Sequence, residues 1–216
     1  MNKQQNSKCR DEETMPPQQE TLAYTLHGNR YLNITYQCTL RCGFCPKFNG
    51  TWEVQGYDLR IRREPSAEEI IAAAGDPSNY NEIVFCGLGE TTLRWDTMLE
   101  IAAALKAKGA RIRLNSDGLA NLVHNRDVSP EMAGLIDSLS VSMNAHNEAV
   151  YNQHCRPKLE GSYQAMLEFV SLSKQYVPDV SVTAINGLAG VNIAACADIA
   201  AGLGVKFRRR ELDVVG

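Results

Sequence analysis

Ser138-Leu139-Ser140-Val141-Ser142-Met143-Asn144 is the stretch that separates two architectures. Its odd-numbered positions are apolar and its even-numbered positions polar, and Ile112 and Leu114 alternate in the same way with Arg113 and Asn115. Alternation with period two marks a strand that shows different chemistry to its two sides. A parallel sheet covered by helices on both sides reads apolar on both faces. These strands keep one polar face, as expected of a curved sheet with helices outside and a lined, ligand-accessible interior.

Outward from that stretch the chain repeats one unit. Further β-rich runs fall at residues 31–35, 82–86, 111–115, 180–185 and 205–209, with 138–143 as the fourth of six, and segments of helical period separate them. Ser66 followed by Glu69 forms a capping box before Ile70 and Ile71. Asp96 is a candidate N-cap for a helix over 97–108 with Gly109 as its terminator, and Ser129-Pro130 puts proline at a first helical position. Strand–helix alternation implies parallel strands with right-handed crossovers. The expected fold is therefore α/β: a single-domain partial, open (β/α)6 barrel with parallel strands. A weaker hairpin signal joins residues 22–26 to 31–35 through Gly28 and Asn29.

Composition sets the frame around this core. The 216 residues suffice for one α/β domain, and 44% hydrophobic with 22% charged residues is ordinary for a globular chain. Residues 1–21 combine Gln, Glu, Asp and Pro with few aliphatics, so they are expected to form a flexible tail, with the core domain over 22–216. A net charge of −3 provides no global basic field, which argues against generic nucleic-acid binding and against anionic lipid. No apolar run is long enough to span a bilayer and the N-terminus lacks the apolar core of a signal peptide, so a cytoplasmic protein is expected. Seven cysteines, three of them within eight residues, suit metal ligation in a reducing compartment better than a disulfide framework.

Those three lie in Tyr36-Gln37-Cys38-Thr39-Leu40-Arg41-Cys42-Gly43-Phe44-Cys45-Pro46, directly after the first strand of the repeating series. That is the end of the sheet where barrel and α/β enzymes build their sites. Three thiolates on one tight loop can wrap a cubane cluster, with Gly43 easing the turn. A structural zinc site or a simple electron-transfer cluster would want four protein ligands. Cys9, Cys86, Cys155 and Cys196 are scattered with no paired spacing, which points to one iron with a position open for a non-protein ligand. A zinc loop or a set of buried thiols is the alternative.

The spacing of three residues and then two, with Phe44 before the last cysteine, resembles the radical S-adenosylmethionine (SAM) superfamily. Phe85-Cys86-Gly87-Leu88-Gly89-Glu90-Thr91 resembles the family's Gly-Gly-Glu-Pro segment, departing from it at Leu88 and at Thr91. Leu114-Asn115-Ser116-Asp117-Gly118 resembles its Thr-Asn-Gly segment, and Val141-Ser142-Met143-Asn144 its serine-containing fourth strand end. The resemblance covers roughly residues 31–210, and within the superfamily it is nearest to the small radical SAM proteins associated with TatD-type nucleases.

The resemblance implies a [4Fe–4S] cluster on Cys38, Cys42 and Cys45, whose open iron is chelated by the amino and carboxylate groups of SAM. It also implies reductive cleavage of SAM to a 5′-deoxyadenosyl radical that abstracts hydrogen from a substrate, with an electron donor such as a flavodoxin or ferredoxin. Phe44 would pack on the adenine side of SAM. Gly87, Gly89, Glu90 and Thr91 would serve its methionine end, while Asn115, Ser142 and Asn144 would reach ribose or carboxylate.

Several residues keep two readings. Cys86 either faces SAM or is an ordinary buried thiol. His146, His154, Cys155 and Arg156 either meet the substrate or belong to a helical face near the surface. Arg208 and Arg210 face inward if Phe207 faces the helices, where they could bind a carboxylate or phosphate; otherwise they are solvated strand-end charges. The loop 47–64, with Trp52 and Tyr57, is a lid or a static segment. Because the sixth strand ends near residue 209, closure by a macromolecular substrate, such as a protein receiving a glycyl radical, is expected; a homodimer over a small metabolite is the runner-up. From another functional class, the rival is a non-catalytic zinc-binding or nucleic-acid-binding module.

Overall fold

A computed structural model of the protein describes residues 20–212. All six expected strands form and pair in chain order. They are β2 (Asn29–Leu32), β5 (Ile83–Phe85), β6 (Ile112–Ser116), β7 (Ser138–Ser142), β8 (Asp179–Asn186) and β9 (Lys206–Glu211), parallel throughout. The hairpin signal is also real: β1 (Ala23–Leu26) lies antiparallel to β2 and forms one edge, giving the seven-stranded order β1-β2-β5-β6-β7-β8-β9. The sheet is thus an open, sequentially wound (β/α)6 arrangement with one added antiparallel strand.

The helices are α1 (Ala67–Ala74), α2 (Trp95–Lys106), α3 (Ala120–His124), α4 (Glu148–Cys155), α5 (Ser162–Ser173) and α6 (Ile193–Leu203). Ser66 and Glu69 form the capping box at α1 as expected. Two starts differ from expectation. Asp96 does not cap α2; the helix begins at Trp95, because Glu90 caps a 3₁₀ turn over Thr91–Arg94 that feeds straight into it. Ser129-Pro130 opens only a 3₁₀ turn, Ser129–Met132, which is held at its start by Asp127 accepting from the Ser129 N–H. Of the expected tail, residues 1–19 lie outside the described part, whereas Glu20 and Thr21 are tied down. Glu20 accepts from the Arg62 N–H and the Thr21 carbonyl accepts from Asn33 Nδ2.

The alternation that opened the sequence reading sorts the two faces of the sheet. Leu32, Phe85, Leu114, Leu139, Val141 and Val182 join Trp95, Met98, Ile101, Met166 and Phe169 in one helix-covered core. Phe85, Trp95 and Phe169 are almost fully buried there, worth about 1.5–3 kcal/mol each.

The inner face divides in two. Beside β1, β2 and β5 it is apolar: Tyr24, Tyr31 and Val84 pack with Val54 and Leu59 of the loop 47–64. That loop carries the small hairpin of β3 (Glu53–Val54) and β4 (Tyr57–Asp58). Tyr24 stacks on Tyr31 at 5.1 Å and touches Tyr57 at 5.3 Å, and Asn33 Nδ2 donates to the Leu59 carbonyl at 2.9 Å. The hairpin is therefore a plug in this half of the barrel. Beside β6 to β9 the inner face is polar, with Arg113, Asn115, Ser138, Ser140, Ser142, Thr183 and Arg208 on it by register.

Candidate functional site

The cysteine loop leaves the C-terminal end of β2 and is moored to the end of α4. The last carbonyls of a helix lack internal partners, and here the loop supplies them: Arg41 N–H donates to the Cys155 carbonyl at 3.0 Å and Gly43 N–H to His154 at 2.9 Å. Lys158 holds the other side, with its N–H on the Thr39 carbonyl at 3.1 Å and its Nζ on the Cys38 carbonyl at 2.8 Å. Gly43 itself is not demanded by sterics, since a Cβ there would stand 3.5 Å from Arg156 Nη2, an ordinary contact.

Cys38, Cys42 and Cys45 are all half-buried, close enough for Cys42 to feel both others electrostatically. Among the described residues no three Cys, His, Asp or Glu side chains converge on one point, as chelation of a single ion requires. Backbone N–H groups already favour the thiolates: Leu40 N–H points at Cys38 Sγ (3.4 Å), and those of Lys47 and Phe48 lie close enough to Cys45 to hold its pKa down against burial. Donors of this kind stabilise thiolates. Without a bound cation, burial and then the carboxylates of Asp117 and Glu90 push Cys38 up to about 12. Cys42 is raised by its hydrogen bond with Cys155 and by burial, and Cys45 by burial. A coordinated iron reverses that balance, because a metal-bound thiol is deprotonated outright. Three soft sulfur donors on one loop, with N–H support, fit an iron–sulfur cluster.

The glycine-rich segment after β5 packs directly on the entry to this loop. A Cβ on Gly87 would lie 2.2 Å from Asn33 Oδ1, and one on Gly89 would lie 2.1 Å from the Thr35 carbonyl oxygen and 2.8 Å from that of Gln37. Glu90 N–H then donates to Gln37 at 2.7 Å. Both glycines thus serve close backbone approach, which fixes the segment beside the cysteines. The Glu90 side chain is fully engaged by the protein. It accepts from Thr92 N–H (3.1 Å), Thr92 Oγ1 (2.8 Å), Ser116 Oγ (2.9 Å) and Asp117 N–H (2.7 Å), which clamps the end of β5 to the end of β6. Thr91 is buried as the first residue of the 3₁₀ turn, a position that also accepts proline.

Asn115 lies on the inner face, hydrogen-bonded to Cys86, with its Oδ1 buried and unpartnered. Asn144 is a junction: buried at φ +59°, it donates to the Ser142 carbonyl (3.3 Å) and toward Cys155 Sγ (3.7 Å) and accepts from Arg210 Nη2 (3.2 Å). A non-glycine residue in the left-handed region and buried is uncommon and often functional. Phe44 is partly buried against the main core. The structure therefore brings the cysteines, the glycine segment, Asn115, Ser142 and Asn144 to one end of the sheet.

His146 and His154 are used elsewhere. Nδ1 of His146 accepts from Asn192 N–H, and His154 Nε2 meets the Ala189 carbonyl at 2.7 Å. Cys155 is a different matter. It is completely buried, not on a surface face, and its thiol is hydrogen-bonded to Cys42. Two partners escaped the sequence reading. Thr39 Oγ1 donates to Asp117, which ties the cysteine loop to the end of β6. Asp117 is buried beside Glu90, and burial and that neighbour push its pKa well up. Nothing in the sequence pairs residues 78 positions apart.

A sequence profile described as "Radical SAM superfamily" matches residues 32–201. No curated protein matches the chain by sequence. Among solved structures, TYW1 with a lysine-pyruvate adduct bound is similar at TM-score 0.61 and 15% identity, over 88% of this chain and 66% of that one. Streptococcus suis SuiB bound to S-adenosylmethionine gives 0.62 and 11%, over 86% and 40%. The FeFe-hydrogenase maturase HydG from Carboxydothermus hydrogenoformans gives 0.60 and 18%, over 87% and 44%. The chain thus spans less than two thirds of the length of each.

Proposed function

The chain belongs to the radical SAM superfamily, and from that premise we propose that it is an enzyme that cleaves SAM reductively and passes the radical to a substrate. The family's cofactors are a [4Fe–4S] cluster and SAM. When bound, they supply one-electron cleavage of a carbon–sulfur bond and a 5′-deoxyadenosyl radical. The protein's part is binding, orientation and exclusion of side reactions.

One observation carries the reading: three half-buried thiols on a single loop whose entry, at Thr35 and Gln37, packs against the Gly89 backbone at the C-terminal end of a parallel sheet. In this reading Cys38, Cys42 and Cys45 are the cluster ligands. The backbone of residues 87–90, with Phe44, Asn115, Ser142 and Asn144, forms the SAM-binding rim. Thr91 supports the turn behind it. Cys155 is a neighbour and not a fourth ligand, supported by its complete burial where the trio is half-open. Arg41, Lys47 and Lys158 around the loop suit an electron carrier that presents carboxylates, such as a flavodoxin or ferredoxin. A reducing, cytoplasmic setting is proposed because the reading needs these thiols free. Among the described residues no helix is long and apolar enough to cross a membrane.

A substrate of macromolecular size, a protein in the first instance, is favoured over a metabolite sealed in by the loop 47–64. That loop is anchored through Val54 and Leu59 inside the barrel and is not poised to move as a lid. The narrower kinship with the TatD-associated proteins rests on Gly87-Leu88-Gly89-Glu90 together with Ser142-Met143-Asn144.

Anaerobic reconstitution followed by addition of SAM and dithionite tests the reading. About four irons per chain and 5′-deoxyadenosine as product are expected. A colourless protein with one zinc, or a cluster whose four irons all carry cysteine, would sink it.

A further inference from the structure

The plug formed by the loop 47–64 leaves only the β6–β9 half of the inner face for a ligand, and that half ends in arginine. Along β9, Phe207 packs with the outer helices, so Arg208 and Arg210 point the other way, in register with Thr183 and Ile185. Arg210 is held by Asn144, the residue that also touches Cys155 beside Cys42. Its guanidinium therefore stands at the mouth of the cysteine site.

Among the described residues its charge has no carboxylate to balance it. Among the described residues no Asp or Glu lies within ion-pair distance of Arg210, and its Nε is buried without a partner. Its two neighbours in kind differ: Arg113, on the same inner face, pairs with Glu82 at 3.3 Å, and Arg209, on the opposite face of β9, with Glu211 at 2.6 Å. The groups that Arg210 senses are Arg208 and the thiols of Cys86, Cys42 and Cys155; burial and the Arg208 charge make its protonated form less comfortable. Buried charges are ordinarily paired, and one left unpaired is costly. A guanidinium fork offers two parallel donors in the geometry of a carboxylate or phosphate. Across the same half-face, Asn115 Oδ1 is a second buried polar atom without a partner.

We infer that Arg210, with Arg208 above Thr183, is an oxyanion site for the substrate, so that the part of the substrate entering the barrel carries a carboxylate or a phosphoryl group. This rests on the function proposed above and names its substrate class. The group would enter from the β9 side and be anchored next to the cluster loop, with Asn144 fixing the guanidinium.

Calorimetry on the reconstituted full chain tests it, with succinate and inorganic phosphate as separate probes, each with and without saturating SAM. One of the two anions is expected to bind, which identifies the group. SAM should leave that affinity within about twofold, and Arg210→Met should weaken it roughly tenfold to a hundredfold, the range for a lost charge-assisted contact. Arg210→Lys, which keeps the charge, should retain a measurable part of the binding, which guards against a misfolded methionine variant. Competition between SAM and the anion would give the site to SAM's own carboxylate and overturn the inference. So would an affinity unmoved by Arg210→Met, or loss of iron from that variant with anion binding intact. A chain that binds no SAM, while phosphate or succinate still responds to Arg210→Met, removes the proposed function and leaves the anion site standing.

Discussion

Replacing Gly89 by alanine should unseat the glycine segment from the cysteine loop, and the size of the effect follows from the contact distances. The added Cβ would fall 2.1 Å from the Thr35 carbonyl oxygen, 2.7 Å from its carbon and 2.8 Å from the Gln37 oxygen. All three are backbone atoms, so no flexible side chain can give way, and relief needs a retreat of about an ångström, as over-packing of a rigid site does. Such over-packing costs about 1–3 kcal/mol. The retreat also breaks the 2.7 Å bond from Glu90 N–H to Gln37, adding roughly 1–3 kcal/mol for a buried pair left unmade. Alanine returns about 0.5–1 kcal/mol by restricting the unfolded chain. The net loss is about 1–5 kcal/mol, which for a chain of this length lowers the melting temperature by roughly 2–20 °C. Gly202→Ala is the control: it sits in α6 with nothing within 4 Å of the new methyl, so a gain of about 0.5–1 kcal/mol is expected. Circular dichroism melts of the apo proteins under anaerobic conditions compare the two. A Gly89→Ala protein that melts within about 2 °C of the parent would refute the claim that backbone approach dictates this glycine.

Cys155→Ala should keep about four irons per chain by anaerobic iron assay, whereas Cys42→Ala should not. Asp117 is raised by burial and by Glu90, so the folded state holds more protons than the unfolded chain above the ordinary carboxyl value near ~4, and stability from this group is lost as pH rises. Asp117→Asn keeps an acceptor for the Leu119 N–H and a partner for Thr39; it should match the parent in urea unfolding near pH ~4 and exceed it by about 1–3 kcal/mol near pH ~8. Asp137 runs the other way. Burial pulls its pKa up, but the Lys106 ammonium at 2.8 Å and the Ile112 N–H at 2.7 Å together take it below its ordinary value. Asp137→Ala, discounted because the pair is partly exposed, should cost about 1–2 kcal/mol at neutral pH, and the difference should vanish as acid protonates the parent carboxyl.

The strands were legible because alternation reports burial one residue at a time, and Leu139, Val141 and Ser140 each fell on the face their chemistry requires. The cysteine loop was legible because its three donors are local. Helix starts were less so: Asp96 looks like a cap in sequence, yet Glu90 six residues earlier had already begun the turn by accepting from Thr92. The loop 47–64 gave no hint that it would fold inward, since tertiary contacts such as Tyr57 on Tyr24 and Leu59 on Asn33 decide this. Glu90 was expected at the methionine end of SAM, but its bonds from Ser116 and Asp117 were not foreseen, because sequence order separates them from it. Cys155 and Thr39 escaped for the same reason: their roles exist only once α4 and β6 are brought against the loop.

That division of the inner face also constrains how a reaction can be arranged. A substrate cannot approach over β1, β2 and β5, where Tyr24, Tyr31, Val54 and Leu59 already fill the space. Under the proposed function it would come over β7 to β9, where Arg208 and Arg210 lie in register with Thr183 and Ile185 and where Asn144 joins Arg210 to Cys155. A cationic anchor there would orient a substrate by its anionic end and leave the rest free to lie toward the cysteine loop. Positioning of this kind, not an acid or base, is what a protein contributes when the cofactor carries the difficult step. Among the described residues no carboxylate pairs with Arg210, and on the inference above the ligand would bring it.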